Sequence, residues 1–305
     1  MDISLIIVSY NTKDLTRECI NSIIKNTKGI DYEIIVVDNA SKDASVEVLK
    51  KLKKGKTQKI EIIENKNNKG FGGANNQGIK RAGGKYILLL NSDTVIHDNI
   101  IGEMTGWMNK RKSIGIAGCS LKNKDGSMQG TGGYFPTLVR VFSWMTIQDI
   151  PGVDKFIKPF HPMHSKSFKK GEQFYKKAKE LDWVTAAFFL IRKKVVEDIG
   201  YFDEEYFMYT EETDYCFRAK KAGWKIFYTP KWEITHLGGA SGKKMSYVIQ
   251  EFEGVKLFYK KHYPAWQYPI LRLLLKIGSA GRIVLFGLLE GKGAAKAYAK
   301  ALRSI

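Results

Sequence analysis

The sequence predicts an α/β protein with a doubly wound, mainly parallel sheet and flanking helices. Within the first 93 residues, apolar runs of strand length alternate with segments whose apolar residues recur at helical spacing. The run at residues 87–90 is typical of a strand buried on both faces, and Asn91-Ser92-Asp93 follows it at once. Ligands bind at the carboxyl ends of strands in open α/β sheets, so these polar residues mark the expected site.

Strands and helices alternate regularly before this central strand. Residues 4–9 form an apolar strand, and Thr12 can cap the helix that follows it. Residues 33–37 and 60–63 are predicted strands, with a helix between them whose apolar positions are 46, 49 and 52. The order is therefore strand, helix, strand, helix, strand, which is the pattern of a parallel sheet with crossover helices.

Two of these strands also end in polar residues. Tyr10-Asn11 follows the first strand, and Asp38-Asn39 follows the second. If they converge with Asn91-Ser92-Asp93 at one sheet edge, the geometry is that of a nucleotide site, because an Asp can accept hydrogen bonds from a base or a ribose. The alternative for Asp38-Asn39 is a simple turn, since this residue pair favours turns.

A glycine-rich stretch, residues 65–78, leads through a predicted helix into the central strand. The backbone amides near residues 70–73 can approach phosphate groups closely. The stretch is a weak phosphate motif by itself. It is not the dinucleotide-binding fingerprint, which should follow the first strand, where this chain has Ser9-Tyr10-Asn11-Thr12.

The pattern is less regular after the central strand. Residues 114–119 and 183–191 are predicted strands, and residues 130–180 mix aromatic residues and prolines with a lysine-rich run from 155 to 179. Long loops in compact domains are often functional, so we expect an insertion that binds the acceptor of a reaction. The alternative is a solvated basic loop.

A helix predicted from residue 211 to about 222 begins with Glu211, Glu212 and Asp214. Acidic residues at a helix start stabilise the helix dipole, which is one explanation of the cluster. The other is general-base catalysis, if the helix start faces the sheet edge. Two short predicted strands, 226–229 and 233–235, then lead into His236, a glycine-flanked histidine that is a candidate ligand or a structural residue.

The predicted organisation is one domain, residues 1–262, with a nucleotide-binding half (1–94) and an acceptor half (95–262). Residues 263–305 form a predicted helical tail. It differs from the domain because its strongly apolar runs are interrupted by basic residues. A membrane-spanning helix needs about twenty residues almost free of charge. We expect an amphipathic segment that lies on anionic lipid, or else a helix packed on the domain or on a second subunit.

Composition narrows the classes of partner. The chain has 305 residues, 44% of them hydrophobic, and a formal net charge of +19. Nucleic acid, anionic membrane and phosphorylated substrates are the partners that such a charge suits. The three cysteines show no metal or disulfide spacing, and the N-terminal apolar run lacks a basic segment before it, so we expect a reducing compartment and no signal peptide.

Taken together, these motifs resemble those of inverting family 2 glycosyltransferases of the GT-A fold, most closely the bacterial rhamnosyltransferase-like branch. The resemblance runs from about Ser4 to Ser241, and the ordered set is far more specific than any member. Its carriers are Ile6-Ile7-Val8-Ser9-Tyr10-Asn11, Val36-Val37-Asp38-Asn39-Ala40-Ser41, Asn68-Lys69-Gly70-Phe71-Gly72-Gly73-Ala74-Asn75-Asn76, Leu90-Asn91-Ser92-Asp93-Thr94, Phe207-Met208-Tyr209-Thr210-Glu211-Glu212-Thr213-Asp214, Ala222-Gly223-Trp224 and His236-Leu237-Gly238-Gly239-Ala240-Ser241.

The resemblance implies roles for individual residues. Asp93 and His236 are the implied ligands of Mg²⁺ or Mn²⁺, although the family's first motif Asp is replaced here by Asn91. Glu212 is the implied base, in place of the family's Asp, with Asp214 as the second choice. The implied donor-binding residues are Tyr10, Asp38, Asn39, Gly72, Asn75, Asn91 and Ser92.

The function expected from the resemblance is inverting transfer of a sugar, preferably rhamnose from a dTDP donor, with UDP-linked sugars open. The expected acceptor is a glycan or a lipid-diphosphate-linked glycan of cell-surface polysaccharide synthesis, at the cytoplasmic face of the membrane. A homodimer through the tail is also open. The competing classes are a non-catalytic nucleotide-sugar-binding scaffold and a nucleotidyltransferase; a nucleic-acid binder is disfavoured because no such motif is present.

Overall fold

The computed structural model contains a mixed sheet with helices on both faces. Its strands are β1 (Ile3–Ser9), β2 (Tyr32–Asp38), β3 (Ile60–Glu64), β4 (Tyr86–Asn91), β5 (Thr94–Val95), β6 (Ile114–Lys122), β7 (Gly132–Gly133), β8 (Lys179–Leu181), β9 (Trp183–Val184), β10 (Phe188–Arg192) and β11 (Lys225–His236). The structure describes residues 1–54, 59–148, 150, 152–162, 172–238, 244–289 and 292–305.

The helices connect and cover these strands. They are α1 (Lys13–Asn26), α2 (Ser45–Lys54), α3 (Gly70–Arg81), α4 (Ile100–Asn109), α5 (Leu138–Met145), α6 (Val153–Phe156), α7 (Lys193–Ile199), α8 (Glu211–Lys221), α9 (Lys244–His262), α10 (Gln267–Leu289) and α11 (Lys292–Ser304). Residues 239–241 of the predicted histidine motif and residues 163–171 of the basic run lie outside the described residues.

The predicted mainly parallel sheet is confirmed. Among the described residues it has nine strands in the order β3-β2-β1-β4-β10-β6-β11-β5, with β8 paired to β11. Strands β1 to β4 are mutually parallel, while β10 runs antiparallel between β4 and β6. The reversal of strand order at β1 and β4 opens a crevice at their carboxyl ends, where α/β proteins bind ligands.

The register aligns the ends of the three strands that carry the predicted polar residues. Ser9 pairs with Asp38, and Val8 pairs with Asn91. The last residue of β11, His236, pairs with Thr94 in β5. The polar residues after these strands therefore converge at one edge, as the sequence predicts.

Alternating strand side chains fill two hydrophobic layers, one on each face of the sheet. Ile6 packs with the layer under α3 and α8, whereas Leu5 and Ile7 pack with the layer under α1 and α4. The three cysteines are buried and free, as predicted, and burial raises the pKa of the Cys19 thiol to about 12. Such thiols are unreactive at neutral pH.

Two strand predictions are wrong in detail. The single strand predicted at 183–191 is divided, because β9 pairs with β7 in a separate two-stranded sheet and only β10 enters the main sheet. The two short strands predicted at 226–229 and 233–235 form one strand, β11, with a register shift between Thr229 and Glu233. Pro230 explains this bulge, since proline has no N–H group for the ladder.

The predicted helical tail packs on the domain through one face. Leu271 and Leu275 of α10 are fully buried in the same core as α9, and α10 contacts α5 and α11. The Nε group of Arg272 donates to the carbonyl of Ile305, and the Nζ group of Lys256 donates to the carbonyl of Ser304, which ties α11 back to α9 and α10. Among the described helices, none has the length and hydropathy that crossing a bilayer requires.

The glycines at the start of α3 allow close contact with the segment before α8. Gly70 has a φ of +72°, and a Cβ built there would lie 2.4 Å from the carbonyl oxygen of Phe207. The N–H of Phe71 donates to that same carbonyl at 2.9 Å. A side chain at Gly70 would therefore separate the donor half of the chain from the segment that carries the acidic cluster.

We expect Gly70→Ala to lower the free energy of unfolding by roughly 2–4 kcal/mol, because it combines left-handed strain with a steric clash. Gly29→Ala is the matched control, since Gly29 has a φ of +73° but no atom within 4 Å of the added Cβ. Gly29→Ala should lower the free energy of unfolding only by the backbone strain, about 1 kcal/mol. Urea unfolding followed by circular dichroism measures both, and equal losses would contradict the proposed clash.

Candidate active site

Asp38 lies at the end of β2 with one carboxylate oxygen available to a ligand. The side chain is buried, and its Oδ2 accepts a hydrogen bond from the N–H of Ser41 at 3.0 Å. Its Oδ1 is buried with no hydrogen-bond partner in the described structure. A buried acceptor without a partner is costly unless a ligand supplies the donor. Tyr10, partly buried, follows β1 at the same edge.

Asn39 connects this edge to the glycine-rich segment. Its Nδ2 donates to the side chain of Asn68 and to the carbonyl of Gly70, and its Oδ1 accepts from the N–H of Lys69 and from Asn65. Both ends of the amide are therefore used within the protein. The observed geometry gives Asn39 a positioning role at the start of α3, and direct contact with a donor stays a prediction.

The amide groups at the start of α3 are also used within the protein. The N–H of Gly70 donates to Asn68, and the N–H of Phe71 donates to Phe207. Gly72 faces the segment after α7, with a built Cβ only 3.4 Å from the Cβ of Phe202. The buried Asn75 donates to the carbonyl of Phe71. Packing thus explains these glycines, and phosphate binding by Gly72 or Asn75 stays a prediction.

The residues after β4 contact the end of β11. The Oγ of Ser92 lies 3.1 Å from the Oγ1 of Thr12, and the Nδ2 of Asn91 lies 3.2 Å from the Nε2 of His236. Asp93 is buried, and its Oδ1 lies 3.2 Å from the same Nε2. Asp93 and His236, distant in sequence, therefore form one polar pair at the sheet edge.

Gln129 sets the orientation of the His236 ring. Its Nε2 donates to Asn123 and to the carbonyl of His236, which leaves its Oε1 as the acceptor facing the Nδ1 of His236 at 2.7 Å. The Nδ1 must therefore carry a hydrogen, and Nε2 faces both the side-chain amide of Asn91 and the carboxylate of Asp93. Sequence analysis missed Gln129, because no local pattern links residues 107 positions apart.

This pair fits a divalent cation. A carboxylate oxygen and an imidazole nitrogen lie side by side, and the second nitrogen of the ring is held by a neutral amide, as in known metal sites. Within the described residues, no cluster of three or more His, Cys, Asp or Glu side chains could hold a metal. The pair would thus need further ligands from a bound diphosphate and water.

A strained turn precedes the acidic cluster at the start of α8. Tyr209 and Thr210 both have positive φ angles, 67° and 71°, which are unfavourable for residues with side chains. Gly254 of α9 allows this turn, because a Cβ built there would lie 2.4 Å from the Oγ1 of Thr210. Packing therefore holds the turn that presents Glu211 and Glu212, and strain of this kind is common at functional sites.

Glu212 lines a cavity of about 360 Å³ between α8, α9 and the C-terminal helices. Gly130, part of the cavity wall, follows Gln129, the residue that holds the ring of His236. Its aromatic walls suit the apolar face of a sugar ring. The lining residues are Gly130, Trp144, His161, Trp183, Thr185, Tyr209, Glu212, Tyr247, Val248, Glu251, Phe252, Arg282 and Tyr298.

The three carboxylates of α8 differ in their electrostatics. Burial raises the pKa of Glu212 to about 7, and burial together with Glu212 raises the pKa of Glu211 well above its ordinary value. Burial also acts on Asp214, but hydrogen bonds and charges from His262 and Arg218 outweigh it and lower its pKa. Its two oxygens lie 2.6 Å from His262 and 2.9 Å from Arg218, so Asp214 is engaged as a structural residue.

Comparison with known proteins identifies the family. The sequence model of Glycosyl transferase family 2 matches residues 4–200. This match spans most of the chain, including the polar residues after β1 and β2 and the central strand β4. The chain belongs to glycosyl transferase family 2.

Curated relatives are glycosyltransferases at low identity. N-acetylglucosaminyl-diphospho-decaprenol L-rhamnosyltransferase of Mycobacterium tuberculosis is 22% identical over 257 residues, 80% of this chain and 79% of that protein. Rhamnosyltransferase WbbL of Escherichia coli is 26% identical over 240 residues, 76% of this chain and 82% of that protein. Poly(ribitol-phosphate) beta-glucosyltransferase of Bacillus spizizenii is 44% identical over 98 residues, which are 32% of this chain but 15% of that protein.

Solved structures confirm the GT-A fold. The mannosyltransferase PcManGT of Pyrobaculum calidifontis, in complex with GDP-Man and Mn²⁺, matches with a TM-score of 0.58 at 14% identity, over 99% of this chain and 74% of that one. TarS 1-349 of S. aureus matches with a TM-score of 0.53 at 15% identity, over 100% of this chain and 91% of that one. At these identities the likeness concerns the fold.

Glu212→Gln should stabilise the protein at high pH. A carboxyl group whose pKa is raised by folding contributes stability at low pH and loses it as pH rises through about 7. At pH 8 the wild type must bury an ionised carboxylate, whereas the amide of the variant is neutral. We expect a gain of about 2–3 kcal/mol at pH 8 and almost none at pH 4.5. Thermal unfolding at the two pH values checks this, and a gain that does not change with pH would contradict it.

Proposed function

We propose that this protein is an inverting, metal-dependent glycosyltransferase in which Glu212 is the general base. The observation that carries the proposal is the position of Glu212 in an aromatic cavity whose wall includes Gly130, the neighbour in sequence of the Gln129 that holds His236. A base with a pKa near 7 is well matched to accept a proton at neutral pH. Its buried Oε2 has no hydrogen-bond partner among the described residues, so it is available to an acceptor hydroxyl.

The reaction is a single displacement at the anomeric carbon of the donor sugar. The acceptor hydroxyl loses its proton to Glu212 while its oxygen bonds to that carbon and the bond to the nucleoside diphosphate breaks. Attack from the face opposite the leaving group inverts the configuration. Deprotonation by a positioned base typically contributes about 10²–10⁴ in rate.

The donor side of the mechanism rests on the sheet edge. The free Oδ1 of Asp38 would accept hydrogen bonds from the ribose or base, with Tyr10 beside it. Asp93 and His236 would hold Mg²⁺ or Mn²⁺, and such an ion stabilises the charge of a leaving diphosphate. Asn91 and Ser92 complete this edge. Two GT-A structures similar in fold carry Mn²⁺ with a nucleotide or nucleotide sugar, which supports this assignment.

The preferred substrates follow from the relatives. Two of them are named as rhamnosyltransferases, which supports rhamnose from a dTDP donor, and UDP-linked sugars are the alternative. The mycobacterial relative is named for a diphospho-decaprenol acceptor. A glycan or a lipid-diphosphate-linked glycan of cell-surface polysaccharide synthesis is therefore the proposed acceptor class, at the cytoplasmic membrane face.

Glu212→Gln should lower sugar transfer by about 10²–10⁴ without weakening donor binding, because only the proton acceptor is lost. In the wild type, kcat/KM should rise with pH to a plateau, with a midpoint near 7 set by Glu212. Asp214→Asn is the comparison variant. Its transfer activity should fall only as far as the variant loses folding stability. Transfer to lipid-linked acceptors from dTDP-rhamnose or UDP-sugars measures both. Near-full activity of Glu212→Gln would reject the assignment.

A non-catalytic nucleotide-sugar-binding scaffold is the second candidate, since Asn91 removes one carboxylate from the metal motif. We expect Mn²⁺-dependent thermal stabilisation by one of the nucleotides UDP, dTDP or GDP, because a ligand of the native state raises its stability. Asp93→Asn should abolish the metal dependence, and Asp38→Ala should weaken nucleotide binding with or without metal. Binding without any transfer or donor hydrolysis would favour the scaffold.

The exposed face of α10 supports peripheral membrane binding. Trp266, Ile270, Leu273, Ile277 and Val284 recur at helical spacing, and all are exposed. We call these five residues the α10 stripe. The exposed bases Arg272 and Lys276 interrupt it, and α5, which packs on α10, exposes Val139 and Phe142. An apolar face with basic flanks is complementary to an anionic bilayer, which we propose as its partner.

Leu273→Glu should reduce binding to phosphatidylglycerol vesicles by roughly 10- to 100-fold, because burial of one such side chain is worth about 1.5–3 kcal/mol. Ser113→Glu, which adds the same charge at an exposed position elsewhere, should have little effect. Vesicle co-sedimentation measures binding. A wild type that does not sediment but forms a dimer that Leu273→Glu dissociates would show that a second copy covers the stripe.

A further inference from the structure

The cavity that contains Glu212 also contains a buried arginine that, within the described part of the chain, is not paired with a carboxylate. Arg282 of α10 is 7% exposed. One terminal nitrogen donates to the hydroxyl of Tyr298 at 3.3 Å, and the other donates to the carbonyl of Trp144. Among the described residues, no carboxylate oxygen lies within 4 Å of its guanidinium, whose charge is therefore not neutralised within that part of the chain.

Such an arrangement is uncommon because a buried charge costs free energy unless it is paired. The guanidinium carries five N–H donors in a planar fork. Among the described residues, the Tyr298 hydroxyl and the Trp144 carbonyl accept from only two of them. Trp144 and Tyr298 also place their rings near it, each with a centroid 5.4 Å from Cζ. These contacts hold the guanidinium in place and leave it able to bind an anion.

The fold builds this position through the C-terminal segment. Met145 of α5 packs directly against Gly278, where an added Cβ would lie 2.5 Å from the Met145 side chain. This close approach seats α10 against α5, so that Arg282 reaches the cavity between them. Both α8, which carries Glu212, and α10, which carries Arg282, lie beyond residues 4–200, the region matched by the family model.

Among the described residues, the other charged groups of the cavity form no ion pair with Arg282. Glu251 pairs with His161, since its Oε1 lies 2.5 Å from the Nε2 of that ring. Glu212 faces the same cavity but is not within ion-pair distance of Arg282. The cavity thus combines a base for a hydroxyl with a separate cation for an anion.

We propose that Arg282 binds a phosphate group of the acceptor, so that the enzyme recognises a phosphate-bearing acceptor through its C-terminal helices. The inference rests on the proposed function, because it takes the Glu212 cavity as the acceptor site. Two sources share this chemistry: a prenyl diphosphate that carries a glycan, and a polyol-phosphate chain. Arginine suits both, because its planar fork matches phosphate oxygens.

Tryptophan fluorescence provides the test, since Trp144 and Trp183 line the cavity. The probes are geranyl diphosphate with geraniol as its uncharged match, and glycerol 3-phosphate with glycerol as its match. The variants are Arg282→Met and, as the control at an exposed position of α11, Arg303→Met. Arg282→Lys keeps the positive charge but loses the planar fork. It replaces Arg282→Met as the test variant if circular dichroism shows that Arg282→Met is unfolded.

We expect a saturable response to one or both phosphate probes and none to the uncharged matches. Arg282→Met should weaken it roughly 10- to 100-fold, Arg282→Lys should weaken it less, and Arg303→Met should leave it unchanged. The probe that responds identifies the source of the phosphate.

No response in the wild type would overturn the proposal, as would equal responses in wild type and Arg282→Met. A response removed by saturating nucleotide and Mn²⁺ would place the anion in the donor site and overturn it equally. Nucleotide binding and the pH dependence of transfer do not depend on Arg282. They therefore distinguish failure of this inference from failure of the proposed function.

Discussion

The parallel register of β1, β2 and β4 is the constraint on which the site depends. Because Ser9 pairs with Asp38 and Val8 with Asn91, the polar residues after the three strands begin at the same level. Buried apolar side chains on both faces of the sheet fix that register, since a slip would move each of them to the opposite face. The donor edge is thus a consequence of core packing, and its residues need no contacts with one another to be aligned.

The two halves of the site are joined by unusual backbone geometry. Gly70, with its positive φ, lets the start of α3 contact Phe207, while Gly254 makes room for the strained turn at Tyr209 and Thr210. This turn presents a glutamate whose pKa is raised by burial. The molecule therefore carries local strain beside the proposed base, and the surrounding core offsets its cost.

The C-terminal helices have two faces with different environments. Leu271, Leu275 and Arg282 face the domain, and the α10 stripe remains exposed. In the proposed arrangement, a lipid-linked acceptor would have its glycan in the cavity and its lipid chain in the bilayer. Helix α10 would contact both the cavity and the bilayer surface. Peripheral binding and acceptor recognition then depend on the same helix, which gives a physical reason for the apolar and basic residues of the tail.

The sequence by itself determined the sheet, its polar edge, and the candidates Asp38, Asp93, Glu212 and His236, because strand periodicity and local polar clusters are encoded in neighbouring residues. Only the tertiary structure distinguished the environments of Glu212 and Asp214. Both lie at one helix start and burial acts on both, but Arg218 and His262 outweigh it at Asp214 and lower its pKa, whereas the pKa of Glu212 stays raised. It likewise showed the contacts of Gln129 and Arg282, since contacts across more than a hundred residues leave no local pattern in a sequence.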